Sequence, residues 1–282
     1  MSPRLKTVAK THLLIIGCGY VGSAIAKEAV ADGMSVWCIC RTKGSAPNGA
    51  SEINLDINSP NAILPLGLAF DYIVYCISAD RAEEAAYRSA YVEGAAGALR
   101  MLSSQRKQIR RFIYVSSTGV YPQQDGSLVD ESSEVGGESF SSKILLEGEK
   151  IIASSGIPYC IVRLGGIYGP NRNSLIEQVR SGVAPLTSRS VYTNRIHRDD
   201  CAGAIIHLLK LARPENYYIG VDTYPATKNE VIIWLSEQLG VTQITEELAS
   251  GPSDNRRGGN KQCSSLRLQR SGYKFRFPTF RE

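Results

Sequence analysis

The stretch THLLIIGCGYVG, residues 11–22, joins an apolar run to a glycine-rich turn. The run HLLIIG suits a buried strand, and YVGSAIAKEAVADG, residues 20–33, has apolar residues at helical spacing. Gly17, Gly19 and Gly22 lie between this strand and this helix in the spacing GxGxxG. In that context the spacing predicts a turn that binds the pyrophosphate of a dinucleotide at the helix N-terminus.

Each glycine of the motif has its own expected role. Gly17 allows the tight turn, Gly19 lets the backbone approach the phosphates, and Gly22 lets the helix lie close to the strand. Tyr20 and Val21 start the helix within the same motif, and we expect them to contact the cofactor as well. The alternative interpretation is a tight strand–helix turn without a ligand.

The end of the second predicted strand bears on the choice between NAD and NADP. An NAD site usually has an acid at this position to bind the ribose 2′-hydroxyl. Here SVWCICR, residues 35–41, is followed by Thr42 and Lys43, and no acid is present. Arg41 is predicted to pair with a 2′-phosphate, assisted by Lys43, which favours NADP over NAD. Thr42, between them, is expected to contact the cofactor as well. A solvent-facing arginine is the alternative.

Further apolar runs alternate with helical patterns in the first half of the chain. The predicted strands are 51–57, 70–78, 110–117 and 159–169, and the predicted helices are a long Ala-rich one at about 81–105 and another at 143–154. Such alternation predicts an α/β protein: a doubly wound parallel-sheet Rossmann fold. Asp56, after the third strand, either accepts a hydrogen bond from an adenine amino group or holds a turn.

After Tyr168 the pattern is looser. Helices are predicted at 174–180, 199–211 and 228–239, with a short strand NYYIGV at 216–221 and a mobile loop at 251–261. These features predict an NAD(P)-binding domain at 1–165. A smaller substrate-binding lobe at 166–282 would be interleaved with the sheet through the sixth strand.

Composition excludes several classes of function. The chain has 282 residues, 43% hydrophobic and 21% charged, with a net charge of +5, which is ordinary for a globular protein. Seven cysteines without a CxxC pair favour free thiols in a reducing compartment, and no apolar run is long enough to span a bilayer. We therefore expect a cytoplasmic protein with no metal site, no membrane partner and no nucleic-acid partner.

Five segments carry a family resemblance. They are GCGYVG at 17–22, YVSSTGVYP at 114–122, VRLGGIYGP at 162–170, RIHRDDCAGAI at 195–205 and LQRSGYKFRFPTFRE at 268–282. In this order they resemble the extended short-chain dehydrogenase/reductase superfamily, in its NAD-dependent epimerase/dehydratase branch. The chain looks most like the atypical group, whose members often lack the usual active-site tyrosine. The resemblance also implies a homodimer as a candidate assembly.

The resemblance implies roles for individual residues. Ser117 corresponds to the catalytic Ser/Thr, Thr118 is its neighbour in the substrate site, and Lys143 corresponds to the lysine that binds the nicotinamide ribose. Ile77 and Ser78 would run beside the ribose and nicotinamide. The positions implied for substrate binding are Tyr168, Arg172, Arg195 and His197. For His197, a packed or capping histidine is the alternative.

The position of the family tyrosine, four residues before Lys143, holds Ser139. An alkyl hydroxyl is a much weaker acid than a phenol and reaches less far. Three explanations stay open: Tyr121 supplies the proton, a distant tyrosine such as Tyr168 folds inward, or the protein binds NADP(H) without turnover.

The sequence therefore predicts an NAD(P)-dependent oxidoreductase or epimerase. It would act by hydride transfer on a small polar substrate, with a nucleotide-linked sugar as one candidate. The alternative is a catalytically silent NADP(H)-binding regulatory or sensor protein.

Overall fold

A seven-stranded parallel sheet forms the centre of the computed structural model, which describes residues 10–188, 191–242 and 259–282. The strands are, in spatial order, β3 (Ser51–Asn54), β2 (Ser35–Cys40), β1 (His12–Ile16), β4 (Tyr72–Tyr75), β5 (Arg111–Ser117), β7 (Tyr159–Leu164) and β11 (Tyr217–Gly220). All six strand pairs are parallel. The order reverses between β1 and β4, which in an open α/β sheet is where a ligand-binding crevice forms.

Helices cover both faces of the sheet because both faces are apolar. The helices are α1 (Tyr20–Ala31), α2 (Glu84–Arg88), α3 (Gly94–Met101), α4 (Phe140–Ala153), α5 (Ser174–Arg180), α6 (Arg198–Lys210), α7 (Lys228–Leu239) and α8 (Leu266–Arg270). Helices α1 and α6 pack on one face. Helices α3 and α4 contribute to the core on the other face. The predicted doubly wound Rossmann fold is therefore confirmed.

Short strands form the remaining sheets. They are β6 (Leu128–Val129), β8 (Gly166–Tyr168), β9 (Tyr192–Thr193), β10 (Arg195–His197), β12 (Ala226–Thr227) and β13 (Gln262–Cys263). They pair two by two, β8 with β10, β9 with β12, and β6 with β13. These pairs lie in or join the C-terminal part of the chain, where the sequence pattern loosens.

Some elements differ from the sequence prediction. The run 159–169 forms two strands, because the Gly165 N–H bonds to Gly220 O while the Gly166 N–H bonds to Asn194 O. The long helix at about 81–105 is interrupted by a π-helical turn at Ser89–Glu93 and ends in a 3₁₀ turn at Ser103–Gln108.

The run NYYIGV pairs with β7 as the edge strand β11 of the main sheet. Of the predicted loop at 251–261, residues 251–258 lie outside the described residues. Among the described residues, no helix combines the length and apolar character needed to cross a membrane.

Candidate functional site

The turn between β1 and α1 is packed too closely for side chains at two of its glycines. Gly17 has φ +99°, and a Cβ there would lie 2.8 Å from the Ile77 backbone nitrogen. A Cβ on Gly22 would lie 2.0 Å from Gly17 O and 2.9 Å from Cys76 Sγ. Both glycines therefore let α1 and the end of β4 approach the turn, as the motif predicts.

Gly19 is different, because it faces open space. A Cβ there would meet no atom within 4 Å. Gly19 is also the N-cap of α1, and no side chain caps the helix. The N–H groups of the first turn, with the positive end of the helix dipole, are thus available to an anionic ligand.

A cleft of about 410 Å³ opens at this turn and is lined by the ends of β1, β2 and β4. Seven predicted cofactor residues line it: Gly17, Gly19, Arg41, Thr42, Asp56, Ile77 and Ser78. Val21 and Gly22 are buried beneath the turn, where they support it rather than line the cleft. Neither Tyr20 nor Lys143 is among the described residues that line this cleft.

The rim of the cleft at the end of β2 carries a cation. Arg41 and Thr42 are exposed there, and Asn54 Nδ2 donates to Arg41 O at 2.9 Å. Glu52, on the neighbouring strand, accepts the Gly44 and Ala46 N–H groups at 3.0 Å each. The pKa of Glu52 is lowered because its carboxylate accepts these N–H groups, of which the Ala46 N–H has the largest effect.

Asp56 also lines the cleft, and it holds a turn. Its Oδ1 accepts the Asn58 N–H at 3.0 Å. Because one oxygen is engaged in the turn and the side chain is exposed, both sequence interpretations are compatible with its position.

A second cleft, of about 940 Å³, lies beside the C-terminal ends of β5 and β7. Four predicted substrate residues line it together with Ser117: Thr118, Tyr168, Arg172 and Arg195. Lys228 adds a third cation to the two arginines, and the lining within the described residues contains no Asp or Glu. The cleft is therefore suited to an anionic ligand.

Ser117 ends β5 at the wall of this second cleft. Its hydroxyl accepts the Gly119 N–H at 3.1 Å and so caps the short 3₁₀ turn Thr118–Val120. The hydroxyl proton stays available for a ligand, because accepting the Gly119 N–H uses an oxygen lone pair and not the O–H.

Tyr121 is buried away from both clefts. Its hydroxyl accepts from Arg163 Nη1 at 2.9 Å, and Arg163 also donates to Glu149 at 3.0 and 2.7 Å. Burial raises the pKa of Tyr121 to about 12. This geometry fits a packing aromatic better than a proton donor to a ligand in either cleft.

Ser139 begins α4 instead of lying on it. Its hydroxyl accepts the Ser142 N–H at 3.2 Å as an N-cap. Lys143 is exposed on the first turn of α4. The helix therefore starts at Phe140, three residues before the predicted start.

The aromatic and basic residues around Tyr20 connect the two halves of the chain. Tyr20 donates to Pro170 O at 2.8 Å, and the Arg172 guanidinium lies 4.1 Å from the Tyr20 ring centroid. Tyr168 donates to Thr279 O at 3.2 Å, so its hydroxyl is engaged by the C-terminal segment. Arg195 is half-buried and donates to Thr193 Oγ1.

His197 acts as a cap. Its Nδ1 accepts the Asp199 N–H at 3.2 Å, and its ring stacks on Phe277 with centroids 3.7 Å apart. Burial lowers the pKa of His197, so the neutral ring that a cap requires is favoured. The position of His197 therefore matches the capping alternative. His197 is not among the described residues that line the second cleft.

Sequence reasoning missed two residues around these clefts. Lys228 follows the Thr227 cap of α7, and only the tertiary fold brings it to the second cleft. Lys261 is 1% exposed and donates to Tyr121 O at 2.8 Å, which supports the loop after Ser117. Neither carries a local sequence signal. No group of three or more His, Cys, Asp or Glu side chains in the described ranges could hold a metal ion.

Comparisons with known proteins identify the class. The model of the NAD dependent epimerase/dehydratase family matches residues 13–220. The chain belongs to this family.

Solved structures share the fold. A protein from Methylobacillus flagellatus, described as a candidate NAD-dependent epimerase/dehydratase, is 30% identical with a TM-score of 0.77, over 96% of this chain and 94% of that one. Human epimerase family protein SDR39U1, solved with NADPH, is 19% identical with a TM-score of 0.77 over 95% and 96%. UDP-glucose 4-epimerase from Thermotoga maritima, solved with UDP-glucose, is 14% identical with a TM-score of 0.76 over 94% of each chain. A search of curated proteins found no match.

Proposed function

We propose that this protein is an NADP-preferring oxidoreductase or epimerase that acts on a small polar anion. The observation that carries the proposal is the uncapped N-terminus of α1 behind a turn whose Gly19 opens into the first cleft. Membership of the NAD dependent epimerase/dehydratase family supports a nicotinamide dinucleotide as the ligand.

The preference for NADP rests on the rim of that cleft. Arg41 is exposed there and could pair with a 2′-phosphate, a geometry that guanidinium groups favour. Glu52, the acid on the adjacent strand, already binds two backbone N–H groups. It is therefore poorly placed to bind a ribose 2′-hydroxyl, which is the usual basis of NAD preference.

The substrate proposal rests on the second cleft. Arg172, Arg195 and Lys228 line it, which favours phosphate or carboxylate groups. A nucleotide-linked sugar fits this charge and the volume of about 940 Å³. The UDP-glucose bound in the Thermotoga maritima relative supports the same class of substrate.

For catalysis we assign roles only to this chain's own residues. A bound nicotinamide dinucleotide supplies a hydride donor or acceptor. Ser117 would orient a substrate oxygen with its free hydroxyl proton, and Lys143 would hold the nicotinamide ribose. Tyr121 is left out as a proton donor because its hydroxyl is buried against Arg163.

A second candidate is an NADP(H)-binding protein without turnover. Two observations favour it: Ser139 caps α4 at the position of the family tyrosine, and the Tyr121 hydroxyl is buried. Both observations concern the side chain that would supply a proton in catalysis, and neither argues against cofactor binding.

The two candidates differ in turnover. Oxidation of NADPH would be followed by absorbance with a panel of nucleotide-linked sugars and phosphorylated carbonyl compounds, with cofactor affinity measured in parallel. The oxidoreductase proposal expects turnover with at least one anionic substrate. Tight cofactor binding with no turnover across the panel would favour the second candidate.

Ser117→Ala tests the assigned role of the hydroxyl. We expect kcat to fall at least about a hundredfold with cofactor affinity retained, a usual cost of losing such a group. Ser155→Ala is the matched control, because Ser155 accepts the Ile157 N–H at 3.2 Å in a similar turn away from both clefts. Equal activity of the two variants would remove Ser117 from the proposal.

A further inference from the structure

The loop that follows β2 carries the cation at the rim of the first cleft. This loop, residues 41–46, begins with Arg41 and Thr42, and both line the cleft together with Ser45. Arg41 is exposed, and its guanidinium has no hydrogen-bond or ion-pair partner within the described ranges. The path of the loop backbone therefore decides which part of the cleft this guanidinium can reach.

Glu52, on the edge strand β3, holds the far end of this loop. One oxygen of its carboxylate accepts the Gly44 N–H and the other accepts the Ala46 N–H, each at 3.0 Å. Between these two amides, Ser45 Oγ donates to Thr42 O at 2.8 Å, so the loop is also bonded across itself. Hydrogen bonds to a charged acceptor are stronger than those to a neutral one, and the carboxylate is therefore well suited to fix the loop.

Asn54, two residues further along β3, holds the start of the loop. Its Nδ2 donates to Cys40 O at 3.1 Å and to Arg41 O at 2.9 Å. Because alternate residues of a strand point to the same side, Glu52 and Asn54 face the same way. The register pairs Asn54 with Cys40, the last residue of β2. The loop is thus bonded at both ends to side chains of one strand.

We propose that Glu52 and Asn54 are positioning residues for cofactor preference, which fix the loop 41–46 so that Arg41 meets the 2′-phosphate of NADP. The inference rests on the proposed dinucleotide site. A loop that is not fixed beforehand loses backbone freedom when Arg41 binds a phosphate, and this loss weakens binding. Fixing the loop removes that cost for NADP alone, because NAD has no 2′-phosphate. Preference is the difference between the two affinities, and it therefore increases.

The negative charge of Glu52 gives two possible roles opposite signs. A carboxylate that acts through its charge repels a 2′-phosphate, so removing it would raise NADP affinity. A carboxylate that holds the loop has the reverse effect, because its removal frees the backbone that carries Arg41. The direction of the change in NADP affinity therefore separates the two roles.

Titration calorimetry with NADP and NAD on full-length variants tests the positioning role. We expect Glu52→Ala to lower the ratio of NADP affinity to NAD affinity at least about fivefold. Asn54→Ala should change the ratio in the same direction. Glu52→Gln keeps one acceptor oxygen without the charge, so its ratio should lie between those of the wild type and Glu52→Ala. An unchanged or increased ratio in Glu52→Ala would overturn the proposal.

Asp130→Ala is the matched control for these variants. Asp130 is an exposed carboxylate that accepts the Ser132 N–H at 2.9 Å, and it is not among the described residues that line either cleft. Its removal takes away a charge and an amide acceptor of the same kind, and the wild-type ratio should be retained.

Removal of Arg41 tests whether Glu52 acts through it. In an Arg41→Ala background, Glu52→Ala should change the ratio less than about twofold, because residues that act through one another are not additive. A fall as large as the one in the wild-type background would mean that Glu52 acts independently of Arg41, against the proposal.

Amide hydrogen exchange of the cofactor-free protein examines the loop itself. The Gly44 and Ala46 amides should exchange at least about tenfold faster in Glu52→Ala than in the wild type, because they lose their acceptor and the loop opens more often. Asp130→Ala should leave both rates unchanged. Equal exchange in Glu52→Ala and the wild type would show that the carboxylate does not fix the loop.

Failure of this inference and failure of the proposed function give different results. If the wild type binds neither dinucleotide, the proposed function fails and the role in preference with it, whereas hydrogen exchange still decides whether Glu52 holds the loop. If the wild type prefers NADP and Glu52→Ala keeps that preference, the proposed function stands and the positioning role is wrong.

Discussion

At the scale of single residues, the glycines of the turn tolerate a side chain differently. A Cβ on Gly22 would overlap Gly17 O, whereas a Cβ on Gly19 would point into the cleft. Gly22 is therefore needed for the packing of the turn, whereas Gly19 is not, and we propose that the space at Gly19 admits the phosphates of a ligand. The sequence motif predicts both roles, but only the structure separates them by position.

Gly19→Ala should separate binding from stability. We expect dinucleotide affinity to fall about tenfold or more because the methyl group occupies the phosphate approach. The loss of stability should stay below about 1 kcal/mol, because no side-chain capping bond is lost and the added Cβ meets no other atom. Gly22→Ala is the contrast, since overpacking costs about 1 to 3 kcal/mol. Calorimetry and urea unfolding measure the two effects. Full affinity in Gly19→Ala would contradict the assigned approach.

At the scale of elements, the start of α4 determines what the position before Lys143 can do. Ser139 uses its hydroxyl to cap the helix. Loss of an N-cap typically destabilises a protein by about 1 kcal/mol. We expect Ser139→Ala to lower the free energy of unfolding by this amount and Ser139→Asp to retain it, as measured by urea denaturation. Equal stability of both variants would show that the cap contributes nothing.

Helix α4 is joined to β7 by a buried ion pair. The Arg163 and Glu149 side chains are 5% and 4% exposed and bond at 2.7 Å, with Ser116 Oγ on the same carboxylate at 2.6 Å. Removing one partner of such a pair leaves an uncompensated buried charge. Pairing of this kind has no local sequence signature, because the partners come from different elements.

Arg163→Met should therefore destabilise the protein by about 3 to 5 kcal/mol. The matched control is Arg88→Met, because Arg88 and Glu147 form a similar pair with side chains 42% and 44% exposed. Solvent screens that pair, so the control should change stability much less. Urea unfolding of the two variants compares them directly, and similar losses would contradict the account of the buried pair.

At the scale of the whole molecule, the parallel sheet and its glycine turn could be predicted from sequence because strand–helix alternation and GxGxxG are local patterns. The second cleft could be predicted only in part. Arg172 and Arg195 were implied by family resemblance, whereas Lys228 reaches the cleft through the pairing of β12 with β9. Whether a side chain faces a cleft or the core, as for Tyr121, depends on tertiary packing.

Stability should depend on pH through Asp222, which follows β11 and is 4% exposed. Burial raises the pKa of Asp222 to about 7, above the value of about 3.9 in an unfolded chain. The folded state thus holds the proton more tightly, and this contribution to stability is lost as pH rises from about 4 to about 7.

Asp222→Asn removes that titration. We expect the free energy of unfolding of this variant, relative to the wild type, to increase between about pH 5 and about pH 8. Urea unfolding at both pH values measures the difference. A constant difference would contradict the raised pKa.

Isothermal titration calorimetry on the nucleotide-free protein tests the central claim most directly, namely that the head of α1 binds a pyridine dinucleotide with Arg41 at the 2′-phosphate. We expect NADP to bind in the micromolar range and NAD to bind more weakly. This difference should be lost in Arg41→Ala but not in Arg213→Ala, which changes an exposed arginine after α6. Absence of binding by either dinucleotide at millimolar concentration would contradict it.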